Sequence, residues 1–121
     1  MGLDQKALDE LRALDPDGSS GILPQIINSY LSDAPALIQG MRAALAAKDM
    51  TTLARNAHSL KSTSLSLGAT RVSEIAREME VAGKSLAIET CPMLLMALTA
   101  EYAAAERLLQ AECAAAAKAR Y

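Results

Sequence analysis

The sequence predicts an all-α protein: an antiparallel up-down four-helix bundle with a short extra helix at its N-terminal end. Three observations lead there. Hydrophobic residues make up 51% of the 121-residue chain, yet Phe and Trp are absent and Tyr occurs three times. The apolar surface is therefore carried by helix formers such as Ala and Leu, not by the β-branched and aromatic residues that sheets favour. Apolar residues also recur at three- and four-residue spacings along four long segments, and the connections between those segments are short. The length suits one domain over 1–121 with a single core. Its packed part is expected over about 3–110, with an alanine-rich tail, helical or frayed, over 111–121.

Leu3, Ala7, Leu8, Leu11 and Leu14 give a first helix of about three turns, stopped by Asp15-Pro16-Asp17-Gly18. A second apolar pattern runs from Ile22 through Ile26, Ile27, Tyr30 and Leu31 to Leu37, Ile38, Met41, Ala44 and Leu45. Pro35 lies within it and predicts either a kink near Asp33 or two abutting helices. Asp49 is a suitable N-cap for the next helix, whose seam is Leu53, Ala57, Leu60, Ser64 and Leu67, ending at Gly68. Val72, Ile75, Ala76, Met79 and Ala82 form the inward stripe of the following helix, with Gly83 near its end. Thr90 is the expected cap of the last helix, Pro92 is tolerated in its first turn, and Leu95, Leu98, Tyr102, Ala105 and Leu109 carry its stripe.

Twelve basic and fourteen acidic residues, spread without blocks, leave a net charge of −2. That balance lacks the basic footprint of a nucleic-acid binder, and no apolar run reaches membrane-spanning length. The polar start does not read as a signal peptide, and Met1-Gly2 matches a myristoylation start only weakly, because Lys6 stands where Ser or Thr belongs. Cys91 and Cys113 are isolated thiols, which suits a reducing cytoplasm. A monomer is expected, since four helices suffice to close one core.

His58 is the only histidine. At about 100° per residue it falls roughly 140° from the centre of its helix's seam and faces solvent. Thr51, Ala54, Arg55, Lys61, Ser62 and Leu65 share its face by their spacing. Thr51, Ala54 and Ser62 are short enough to let another protein approach the ring. Arg55 and Lys61 are cations that would stabilise an anion placed on a ring nitrogen, and Leu65 reads as an exposed contact residue. A metal site is disfavoured because no second His and no Cys lies at ligand spacing. A serine hydrolase is disfavoured because neither Ser59 nor Ser62 has the context of a nucleophile elbow.

The stretch Ala57-His58-Ser59-Leu60-Lys61-Ser62-Thr63-Ser64, followed by Gly68-Ala69, resembles the signature of histidine-containing phosphotransfer (Hpt) domains. The family has His, Leu two on, Lys three on, small residues next, then Gly-Ala ten and eleven on. The similarity extends over roughly residues 3 to 110, including the Pro and the Asp that precede the His helix. It implies that His58 accepts a phosphoryl group from a receiver-domain aspartate and passes it to another response regulator, with Lys61 holding the phosphoryl oxygens. It further implies no cofactor of the chain's own and no ATP site, with Mg²⁺ supplied by the receiver domain. The expected partners are response-regulator receiver domains and a hybrid sensor histidine kinase, docking over Thr51, Ala54, Arg55, Ser62 and Leu65. The family often has Gly where this chain has Ser62, a departure that adds a hydroxyl to the docking face and would tune partner choice.

Antiparallel pairing about the turn at Gly68 brings the stretch around Met79 and Glu80 level with His58. Glu80 is then placed to accept the Nδ1–H of His58 and leave Nε2 free to attack, or else to be a solvated surface carboxylate. A sensor-kinase phosphoacceptor domain fits poorly, because Ser59 stands where that family has an acidic residue. A helical adaptor that binds a receiver domain without carrying phosphate is the remaining alternative.

Overall fold

The computed structural model describes residues 2–119; Met1, Arg120 and Tyr121, and with them the reading of the extreme termini, lie outside the described residues. The order is α1 (Gln5–Arg12), α2 (Ile22–Ala46), α3 (Met50–Ser66), α4 (Thr70–Lys84), a 3-10 turn (Ile88–Thr90) and α5 (Cys91–Ala119). Helices α2 to α5 pack as a ring, with α3 against α4 the most extensive pair and α2 against α5 closing it. The seams expected on α3, α4 and α5 are all buried. Ser64, the one hydroxyl in the α3 seam, is fully buried and hydrogen bonded to the Tyr30 hydroxyl at 2.7 Å. That bond removes the cost of an unpaired polar group in the core.

All three turns of the bundle share one device. Each helix ends on a left-handed residue, Lys48 (φ 57°), Gly68 (φ 78°) or Leu86 (φ 59°). The following amide then reaches back into the last turn: Asp49 N to Ala44 O at 2.8 Å, Ala69 N to Ser64 O at 2.9 Å and Ala87 N to Ala82 O at 2.8 Å. These are Schellman caps, which satisfy helix-end carbonyls and reverse the chain within a few residues. Gly68 has a second reason to lack a side chain. Asp4 N donates to Gly68 O at 2.8 Å, and a Cβ on Gly68 would lie 2.5 Å from Asp4 O. The N-terminal segment is thereby tied to the α3–α4 turn, and an Arg12–Glu112 ion pair at 2.6 Å ties the other end of α1 to α5.

Two expectations change and two are narrowed. The first helix spans eight residues, begins at an Asp4 cap that accepts from Lys6 N at 3.1 Å, and leaves Leu14 65% exposed. Asp15, just past its end, turns its carboxylate to Ser20 N and to Ile22 N, the first residue of α2. Of the two options at Pro35, a pair of abutting helices does not occur: α2 runs continuously through it, with Pro35 on the exposed side. Thr90 does not cap α5 as expected; it ends the 3-10 turn and donates its hydroxyl back to Ala87 O at 3.0 Å. The tail is helical through Ala119.

Candidate functional site

Asp49 caps α3 through Thr52 N at 3.1 Å and so fixes the start of the helix that carries His58. The His58 side chain is 60% exposed on the outward face, beside α4. Glu80 of α4 has a side chain only 9% exposed, and it gathers three groups. Its Oε2 lies 2.9 Å from His58 Nδ1 and 3.2 Å from Lys84 Nζ, and its Oε1 lies 2.7 Å from Lys61 Nζ. The hydrogen bond from Lys61, with those from Lys84 and His58, holds the Glu80 carboxyl down at about 2 against the opposing effect of burial. Glu80 is therefore ionised near neutral pH. An ionised carboxylate can only accept, so Nδ1 must be the donor; the neutral ring then bears its lone pair on Nε2.

The close approach of α3 and α4 that permits this contact has a visible cause. A Cβ on Gly83 would lie 2.9 Å from the Ala54 Cβ and 3.1 Å from Met50 O. Only glycine lets α4 come this near, one turn beyond Glu80. The same contact corrects one sequence expectation: Ala54, assigned to the open face, is buried under α4. Lys61 is also held from behind, since the Ser73 hydroxyl donates to Lys61 O at 2.9 Å.

Thr51, Arg55, Ser62 and Leu65 are exposed as expected, with Leu65 58% exposed. Gly68 stands at the turn that sets the α3–α4 register. A shallow groove beside the ring is lined by Thr51, Arg55, His58, Glu80, Lys84 and Leu86, among others. Lys61 lies outside this lining. Sequence reasoning missed Lys84 and Gly83. The signal for Lys84 was present, because Glu followed by Lys four residues later is a helical ion pair. The site holds one carboxylate, already bonded by three nitrogen groups, so its donor set does not fit a divalent cation.

Among the described residues no helix is long and apolar enough to cross a membrane. The fold matches the crystal structure of histidine-containing phosphotransfer protein B (HptB) from Pseudomonas aeruginosa PAO1, with a TM-score of 0.84 at 25% identity. The match covers 92% of this chain and 93% of that one. In sequence, the chain is 29% identical over 104 residues to histidine-containing phosphotransfer protein 2 of Arabidopsis thaliana, covering 84% of this chain and 67% of that protein. Residues 25–117, which include Glu80 and all three of the groups that contact it, match the Hpt domain, and the chain belongs to that family.

Proposed function

We propose that this protein carries a phosphoryl group on His58 Nε2, taking it from the aspartyl phosphate of one receiver domain and delivering it to the aspartate of another. Membership of the Hpt family makes it a phosphotransfer protein of a phosphorelay; the roles of individual residues and the direction of transfer are our reading. The observation that carries it is the exposed imidazole whose Nδ1 is bonded to a buried, ionised carboxylate at 2.9 Å.

In the forward step the Nε2 lone pair attacks phosphorus, the N–P bond forms, and the P–O bond to the aspartyl carboxylate breaks with its electron pair returning to that carboxylate. No proton leaves the ring, because Nδ1–H stays on Glu80. The phosphoimidazolium that results has its positive charge matched by that carboxylate. The second transfer is the same reaction in reverse on a different aspartate. Such a transfer passes through a loose transition state with charge spread over the phosphoryl oxygens, so placement and electrostatics supply most of the catalysis. Magnesium belongs to the receiver domain in this scheme. Thr51, Arg55, Ser62 and Leu65 form the docking face, with Ser62 a residue that adjusts which receiver fits.

The test is incubation with a phosphorylated receiver domain, drawn from a panel, followed by detection of acid-labile label on the chain. Wild type takes up label and His58→Gln takes up none. Equal labelling of the variant overturns the assignment, and binding of a receiver without label makes the chain an adaptor instead.

A further inference from the structure

Two lysines bind Glu80, and the structure gives them different circumstances. Lys61 is 27% exposed, meets Oε1 at 2.7 Å, and sits outside the groove that holds the ring. Lys84 is 70% exposed, meets Oε2 at 3.2 Å, and lines that groove together with His58. Its ammonium approaches the same carboxylate oxygen that accepts from Nδ1, so it lies beside the ring. Arg55, the other cation of the groove, is not one of the groups bonded to Glu80. One carboxylate thus faces two ammonium groups, leaving one positive charge unmatched at the site while the ring is neutral.

We infer that Lys84 is the phosphoryl-binding residue of this site: it leaves Glu80 to bond the phosphoryl oxygens on His58, while Lys61 stays on Glu80 as a positioning residue. This rests on the reading of His58 as the phosphoryl carrier, and it divides between two residues what the family resemblance gives to Lys61. The arriving phosphoryl oxygens supply the anion that Lys84 otherwise lacks. The longer and more exposed of two competing ion pairs costs least to exchange. Lys61, if it moved instead, would release the carboxylate oxygen opposite the ring bond and lose its shortest contact. Nothing is made or broken covalently in this exchange, since one ammonium swaps one set of oxygens for another.

The experiment uses the full chain with a phosphorylated receiver domain, in wild type, Lys84→Ala, Lys84→Arg and Lys61→Ala. It reads two quantities: the rate of phosphoryl transfer onto His58, and the ¹⁵N shifts of the His58 ring before transfer, which report its tautomer. Lys84→Ala is expected to slow transfer by about tenfold, the size of one charge-assisted hydrogen bond, and to leave the ring shifts as in wild type. Lys84→Arg restores most of the rate. Lys61→Ala is expected to move the ring shifts, because Glu80 loses its nearest anchor. The inference is overturned if Lys84→Ala transfers within twofold of wild type, if it moves the ring shifts, or if Lys61→Ala slows transfer with the shifts unmoved. Absence of transfer in wild type is a different failure, since it removes the carrier reading itself.

Discussion

Replacing Gly83 by Ala tests whether the spacing of α3 and α4 sets the geometry at His58. The added Cβ would lie 2.9 Å from the Ala54 Cβ, whereas ordinary contact begins near 3.4 Å, so at least about 0.5 Å of separation is forced at this level. Two of the neighbouring atoms, Met50 O and Ala54 N, are backbone and have little freedom to give way. Glu80 sits one turn away on α4, and the same shift would stretch its 2.9 Å bond to His58 Nδ1 to the edge of hydrogen bonding. Overpacking of this kind costs about 1–3 kcal/mol, offset by about 1 kcal/mol from Ala being the better helix former. The net change in stability is then small, about 0–2 kcal/mol, while the change at the ring is large. Urea unfolding measures the first and the His58 ¹⁵N shifts the second. Adding Ala54→Gly removes the opposing methyl and should return the ring shifts toward wild type. If Gly83→Ala leaves the shifts unchanged, or if Ala54→Gly fails to return them, the spacing argument is wrong.

Two further predictions concern stability. The Glu80 carboxyl stands at about 2 in the folded chain against 4.5 in its ordinary state. A folded value below the unfolded one stabilises the fold fully above about pH 4.5, and that stability is lost as the pH falls from there through about 2. The stability difference between wild type and Glu80→Gln, followed by urea unfolding, should therefore be constant near neutral pH and shrink across that acid window; a difference that stays level would show that the carboxylate contributes nothing to folding. Lys48 is an exposed non-glycine residue in the left-handed region at φ 57°. Lys48→Gly should raise stability by about 0.5–1 kcal/mol in thermal unfolding, and no gain would mean that the turn is not strained there.

Helical periodicity made most of the fold legible, because each seam residue of α3, α4 and α5 had to face the same ring of neighbours. The Asp49 cap was readable for a local reason, since capping needs only residues a few positions apart. Glu80 was reachable by counting across the turn at Gly68. Ala54 was misplaced because a stripe centred on Leu60 and Ser64 treats α3 as having one buried side. In the bundle α3 is covered by α2 on one flank and α4 on the other, and a glycine on α4 widens the covered arc. Lys84 was passed over for a related reason: charges were weighed along the helix of His58, whereas Lys84 arrives from the neighbouring one. Pro35 left two options open because local logic does not say whether a helix resumes after a missing amide hydrogen, and α2 is one helix across it.

The openness of His58 has a consequence for traffic through the relay. The chain has one histidine, and its exposed ring lies beside a shallow groove on one face. On the proposed reading donor and acceptor receivers must use that face in turn, never together. They therefore compete, and flux is greatest when neither is in large excess. Between visits no wall of the protein keeps water from the phosphoryl group. How long the chain remembers a signal is then decided partly by who is bound to it.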